Sequence, residues 1–101
     1  MEQKMKQREE VAALSKDPAF QVTSSYNEFR KYKMRGELDR FDKIQLNKAM
    51  NQLREWIPKY RYVLLEKKEK ALLEGNSSTV EYCETELYRL KDIENEVLNW
   101  P

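Results

Sequence analysis

The chain has 101 residues, of which 37% are charged and 40% are hydrophobic, and its formal net charge is +1. With two glycines and three prolines, it has too few turn residues for an all-β fold, and it is too apolar for a disordered chain. The small net charge argues against an extended nucleic-acid footprint, and no apolar run is long enough to predict a membrane span, so we expect an all-α protein that does not enter membranes.

Two short, weakly anchored helices are predicted in the first third of the chain. Strong helix formers dominate residues 1–15, and Asp17-Pro18 is expected to end this first helix because proline cannot continue the helical hydrogen bonds. Ser25 and Glu28 have the spacing of a capping box, which predicts that a second helix begins there and continues to Arg35. The glycine that follows is its expected C-terminal stop.

A third helix, from about residue 40 to residue 74, is predicted by the strongest pattern in the chain. Its apolar residues recur at alternating steps of four and three, the heptad spacing of a coiled-coil seam: Leu46, Met50, Leu53, Ile57, Tyr60 and Leu64. Asp39 or Asp42 is expected to cap its start. The pattern continues through Pro58, and Ile57 would be a poor N-cap for a new helix, so we predict a kink at Pro58 and not a break.

The last helix is predicted over residues 78–100. Gly75 is expected to close the preceding helix, and Ser78 with Glu81 forms a second capping box. The apolar residues again follow steps of three and four: Val80, Cys83, Leu87, Leu90, Ile93, Val97 and Trp100. Because short loops force neighbouring helices to be antiparallel, residues 37–101 are predicted to form a long helical hairpin, coiled-coil-like or part of a small bundle, within a single helical domain spanning residues 1–101.

Charge is unevenly distributed along the chain. Residues 18–53 and residues 54–73 each sum to +3, whereas residues 74–101 sum to −5. Oppositely charged helices that pack antiparallel attract each other across their flanking positions, as in coiled coils, and this is the first explanation. The second is a basic partner-binding site in the middle of the chain.

Residues needed for most known chemistries are missing from the sequence. Without histidine, the chain lacks the usual general base and the commonest zinc or copper ligand. Isolated Gly36 and Gly75 cannot form a phosphate-binding loop. Cys83 is the sole cysteine and lies on the apolar seam, so we interpret it as a buried hydrophobe, with a redox-sensitive or intermolecular thiol as the alternative. We therefore expect a protein of the reducing cytoplasm that is not an enzyme and binds neither cofactor nor metal.

The candidate functional residues lie mainly in the predicted second helix. There, aromatic residues alternate with cations: Tyr26, Phe29, Arg30, Lys31, Tyr32, Lys33 and Arg35. The aromatics could pack on the hairpin while the cations extend outward, the segment could bind a protein partner, or it could bind nucleic acid through stacking and phosphate contacts. Trp56, which flanks the seam, is either part of the core or an interface anchor.

The leading functional hypothesis is a small, non-catalytic protein-binding adaptor or regulator that acts through helix-face contacts with a larger protein. The alternatives are a nucleic-acid-binding accessory protein, which would use segment 26–35, and a structural assembly component or chaperone. Self-association as a dimer is also expected, because four leucines together with the other seam residues offer more apolar surface than one partner helix covers. These leucines are Leu64, Leu65, Leu72 and Leu73.

Overall fold

The structure, a computed structural model, describes residues 16–100. Three α-helices account for most of these residues, and no strand occurs among them. The helices are α1 (Pro18–Lys33), α2 (Arg40–Glu74) and α3 (Ser77–Leu98). The predicted all-α class is therefore confirmed. The first predicted helix, over residues 1–15, lies outside the described residues.

The start of α1 corrects the sequence prediction. Asp17-Pro18, which was expected to end the first predicted helix, begins α1: the Asp17 carboxylate accepts a hydrogen bond from the Ala19 amide at 3.1 Å, and Pro18 is the first helical residue. Proline suits this position because its fixed φ matches a helix and the missing N–H would have no helical partner. The predicted start at Ser25 is wrong, since Ser25 lies inside the helix, buried, with its hydroxyl donating to the Gln52 side chain at 3.1 Å.

Helix α2 begins with a reciprocal cap. The Asp39 carboxylate accepts from the Asp42 amide at 2.7 Å, and the Asp42 carboxylate accepts from the Asp39 amide at 3.4 Å. Both predicted capping residues thus take part, because each carboxylate satisfies an amide that has no partner within the helix. Helix α1 ends at Lys33, two residues before the predicted end, and Gly36 turns the chain with a φ of +81°.

The turn between α2 and α3 follows the geometry that Gly75 permits. Gly75 has a φ of +72°, and the amide of Asn76 donates to the carbonyl of Ala71 at 2.8 Å, a Schellman motif that satisfies the last carbonyls of α2. The cap of α3 differs from the prediction. Asn76, not Ser78, is the N-cap, and its side chain accepts from the Thr79 amide at 3.2 Å.

The described chain divides into two compact units, with the division between Leu53 and Arg54. Helix α2 contributes residues to both units, and the single-domain organisation stays a prediction. In the first unit, the core residues of α1 recur every three or four positions, as one face of a helix requires: Val22, Ser25, Phe29 and Tyr32. The α2 residues buried in this unit are Leu46, Ala49, Met50 and Leu53.

In the second unit, Val80, Leu87 and Trp100 of the predicted α3 seam are half-buried. The buried side chains are residues of the two predicted seams and Ala71. From α2 they are Ile57, Tyr60, Leu64 and Ala71, and from α3 they are Cys83, Leu90, Ile93 and Val97. All six predicted seam residues of α2 are buried, and so is Cys83, as predicted. Burial of each full-sized apolar side chain contributes about 1.5 to 3 kcal/mol, so the heptad pattern identifies the main stabilising contacts.

Ion pairs join α2 to α3 within the second unit. Arg61 contacts Glu94 at 2.7 Å, and Lys68 contacts Glu84 at 3.3 Å. These contacts support the explanation that the basic middle of the chain and its acidic last segment attract each other internally. Because all four groups are partly exposed, each pair contributes only a few tenths of a kcal/mol to about 1 kcal/mol.

Pro58 lies inside α2, which continues on both sides of it. Its ring nitrogen carries no hydrogen and cannot donate to the carbonyl of Arg54, four residues earlier. The predicted kink at this position stays a prediction, with this missing hydrogen bond as its physical cause.

Candidate functional site

The predicted site residues on α1 do not share one surface. Phe29 and Tyr32 are buried, Tyr26 is half-buried, and Arg30, Lys31, Lys33 and Arg35 are exposed. The rings of Tyr26 and Phe29 stack with their centroids 6.3 Å apart. Phe29 and Tyr32 therefore fit the interpretation in which the aromatics pack inward, and the four exposed cations fit its outward-facing charges. Whether any of these residues contacts a partner stays a prediction.

The exposed cations gather at the C-terminal end of α1, where they have an internal function. Arg30, Lys31 and Lys33 lie in the last turn, where positive charge interacts favourably with the helix dipole. Arg35 pairs with Asp42 at 2.9 Å. Arg30 lies over the Tyr26 ring and Lys31 over the Tyr32 ring, 5.8 and 5.6 Å from the centroids.

We name residues 30–35 the basic end. Within residues 16–100, neither Arg30 nor Lys31 has a carboxylate at ion-pair distance. Beside these cations, Met34 exposes 79% of its surface. The basic end therefore combines unneutralised positive charge with one exposed apolar side chain.

Trp56, the eighth predicted site residue, belongs to the second unit. Its ring is half-buried, and the Lys59 ammonium lies 4.4 Å from the ring centroid. A half-buried ring with a cation over its face is stabilised by the cation–π attraction. Its environment fits neither a fully buried core residue nor a fully exposed anchor.

The candidate site residues chosen from the sequence did not include a second apolar face of α2. Tyr62, Leu65, Leu72 and Leu73 are exposed by 64%, 49%, 59% and 85%. At 100° per residue, Tyr62 and Leu73 lie opposite the seam, and Leu65 and Leu72 lie roughly 90° to 110° around the helix from it. We name these four residues the outer stripe. The group of leucines expected to drive self-association divides in the structure, because Leu64 is buried in the seam while the other three are exposed.

A sequence signal for the outer stripe exists. Residues 58, 62, 65, 69 and 72 follow steps of four and three, the same spacing as the seam but displaced around the helix. Glu69 occupies one of these positions and interrupts the apolar run. The Tyr62 hydroxyl is polar too, and its hydrogen bond with Glu66 raises the pKa of the phenol above its ordinary value.

The turn between α2 and α3 forms an open groove of about 330 Å³. Its lining is mostly apolar, with two carboxylates: Ala71, Leu72, Gly75, Asn76, Ser77, Val80, Glu81 and Glu84. We name it the tip groove. Residues 71–84 contain three glutamates and neither lysine nor arginine. The groove therefore offers an apolar surface in a negatively charged setting.

Tyr60, Glu86 and Arg89 form a polar cluster between α2 and α3. The Tyr60 hydroxyl donates to the Glu86 carboxylate at 2.8 Å, and Arg89 donates to it at 3.0 and 3.1 Å. Burial raises the pKa of Glu86, but hydrogen bonds from Arg89 and Tyr60 outweigh it, and the pKa falls below its usual value. Burial and then the bond to Glu86 raise the pKa of Tyr60.

The directions of these two pKa shifts decide whether the cluster suits proton transfer. A general acid or base works best when its pKa lies near the operating pH. The pKa of Glu86 lies further below neutral pH than usual, and the pKa of Tyr60 lies further above it. The cluster therefore acts as a structural tie between α2 and α3, and its geometry does not favour proton transfer at neutral pH.

Neither metal ligands nor a membrane span mark a further site in the described part of the chain. Among residues 16–100, no three histidine, cysteine, aspartate or glutamate side chains are grouped so that they could hold a metal ion. None of the three helices has an apolar stretch long enough to cross a bilayer. Comparison with protein-family models, with curated proteins and with solved structures finds no match to this chain.

Proposed function

We propose that the protein is a small, non-catalytic protein-binding adaptor or regulator that presents one face of a helix to a larger protein. The observation that carries the proposal is the outer stripe, a set of large apolar side chains exposed on α2 while the seam of the same helix is buried. Exposed apolar surface gathered on one face is typical of interaction sites. Burying each such side chain in a complex would contribute about 1.5 to 3 kcal/mol before the costs of association.

The scaffold in this proposal is an antiparallel, coiled-coil-like hairpin of α2 and α3. Position 61 pairs with 94, and position 68 with 84, so residue numbers rise along one helix as they fall along the other. Within the second unit, the seam of each helix is then occupied by the other helix. The outer stripe is left for a partner, and a rigid helix positions its side chains before binding, which lowers the entropic cost of association.

Glu69 limits which kinds of partner surface can cover the outer stripe. It lies between Leu65 and Leu72 in the heptad spacing, so a partner that covers the outer stripe also covers its carboxylate. A carboxylate removed from water without a partner is costly. The best-matched partner is therefore an amphipathic helix or a groove that is apolar with one lysine or arginine facing Glu69.

A pair of matched variants tests the proposal. Tyr62→Ser with Leu65→Ser removes half of the outer stripe, whereas Tyr88→Ser with Leu98→Ser removes two exposed apolar side chains from α3. Affinity capture from the native host with quantitative mass spectrometry should show a protein that the first variant loses and the second retains. Circular dichroism should show equal helicity for both variants.

Two results would count against this function. If the stripe variant captured the same proteins as the wild type, the outer stripe would have no binding role. If both variants lost the same proteins equally, the loss would reflect general surface hydrophobicity. Neither result is compatible with recognition through this face of α2.

Nucleic-acid binding remains the alternative that a specific observation favours. Arg30 and Lys31 are exposed and lack carboxylate partners among residues 16–100, and Arg30 lies over the half-buried ring of Tyr26. Cations beside a partly accessible aromatic ring are typical of proteins that bind single-stranded nucleic acid. Mobility shifts at two salt concentrations distinguish this alternative, because phosphate contacts weaken steeply as salt rises. Salt-sensitive binding that disappears in Arg30→Ala with Lys31→Ala would favour it over the protein-binding proposal.

A further inference from the structure

The tip groove carries negative charge that the described chain does not neutralise. Within residues 16–100, Glu74 and Glu81 have no ion-pair partner, and only Glu84 is paired, with Lys68. Glu74 also ends α2, whose last turn contains no cation, although positive charge is favoured at a helix C-terminus. The exposed Leu72 and Leu73 lie in the same turn of helix as Glu74.

The basic end has the complementary properties. Arg30, Lys31, Lys33 and Arg35 give it four positive charges within six residues. Met34, exposed between them, is an unbranched and flexible side chain that adapts to irregular apolar surfaces. One surface of the chain is therefore basic with an exposed thioether, and another is acidic with an apolar groove.

We propose that copies of this chain associate with each other by docking the basic end of one copy into the tip groove of another. Met34 enters the groove lined by Leu72 and Val80, while Arg30 and Lys31 pair with Glu74 and Glu81. Charge complementarity selects a second copy as the occupant, because the chain itself carries a basic segment with an exposed apolar side chain, opposite in charge to the acidic, apolar groove. Apolar contact provides attraction, and the charges provide orientation and rate of encounter.

The symmetry of the assembly follows from the two different surfaces. Each copy offers one basic end and one tip groove. Two copies form a closed dimer if both contacts are made at once, and otherwise the contact propagates into a ring or a chain. The contact shares Leu72 with the outer stripe, whereas Tyr62 and Leu65 of the stripe take no part in it, so variants at these two positions test the two proposals separately.

Charge reversal tests the inference with a built-in rescue. The first variant is Arg30→Glu with Lys31→Glu, and the second is Glu74→Lys with Glu81→Lys. In sedimentation equilibrium at high micromolar concentration, each variant alone should associate at least about tenfold more weakly than the wild type, since several charge pairs become repulsive. An equimolar mixture should recover association, because every contact between the two variants again joins opposite charges.

The controls separate this contact from general effects. Lys43→Glu with Lys91→Glu changes the charge by the same amount as the first variant at two other exposed positions, and it should associate like the wild type. The stripe variant Tyr62→Ser with Leu65→Ser should do so as well. All variants should remain folded and helical by circular dichroism, because exposed charges at a helix end contribute only weakly to stability.

Three results would overturn the inference. The wild type could remain a 12.2 kDa monomer at high micromolar concentration. Association could survive both charge reversals. It could also disappear in the stripe variant, which would assign self-association to the outer stripe instead. Loss of captured host proteins in the stripe variant with unchanged self-association would support the proposed function and leave this inference standing.

Discussion

Replacing Phe29 by alanine provides the sharpest test of the core of the first unit. The sequence left Phe29 open as either a packed residue or a binding anchor, whereas the structure gives it no solvent exposure and stacks it on Tyr26. Truncation of a buried phenylalanine costs about 3 to 5 kcal/mol, because the ring contacts are lost and a cavity remains. Whole domains are stable by only about 5 to 15 kcal/mol, so Phe29→Ala should remove a large part of the stability.

The measurement is thermal unfolding followed by circular dichroism. A loss of about 3 kcal/mol should lower Tm by roughly 12 °C or more, at roughly 4 to 8 °C per kcal/mol for a domain of this size. Phe41→Ala is the matched control, since Phe41 is 64% exposed, and its effect should stay within about 0.5 kcal/mol. Phe29→Leu keeps most of the apolar contact and provides a folded comparison if the alanine variant does not fold.

Equal Tm values for Phe29→Ala and Phe41→Ala would refute this reasoning. Such a result would place the Phe29 side chain outside the core and return it to the candidate binding residues. A large loss of stability, by contrast, leaves only the exposed members of the predicted site available to a partner.

Glu86, which bonds to Tyr60 and Arg89, and Pro58, which lies inside α2, give two further predictions. Because the pKa of Glu86 is lowered on folding, its contribution to stability is present above its unfolded pKa and lost as pH falls through the folded value. The stability deficit of Glu86→Gln, measured by urea unfolding, should therefore be largest near neutral pH and shrink toward about pH 3; a deficit that is constant with pH would contradict the assigned ionisation. Pro58→Ala restores a helical N–H and should raise stability by up to about 3 kcal/mol, whereas a fall in Tm would mean that the packing of α2 requires the proline.

The candidate site was predicted less well than the fold. Charge and aromatic content drew attention to segment 26–35, but composition does not show which face of a helix is buried. Phe29 and Tyr32 lie on the buried face of α1, and the cations near them have a structural reason in the helix dipole. Leu65, Leu72 and Leu73 of the outer stripe entered the sequence analysis only as a source of self-association. A stripe and a seam on one helix share the same spacing, and only burial distinguishes them.

The helical class and the six buried seam residues of α2 were determined by the sequence alone. Heptad spacing is a local property of α2 and α3, and any helix with that spacing gathers its apolar side chains on one face. The two glycines also marked turns correctly, because a positive φ at Gly36 and Gly75 needs no distant partner.

Tertiary structure decided the features that depend on distant residues. Ser25 has the local pattern of a helix start, yet its hydroxyl bonds to Gln52, which lies 27 positions away, and it is buried inside α1. Local signals that fit two structures were likewise ambiguous: proline both ends a helix and begins one. Exposure of Leu65 and burial of Leu64 depend on which side of α2 is covered by another helix, because adjacent residues on a helix point about 100° apart.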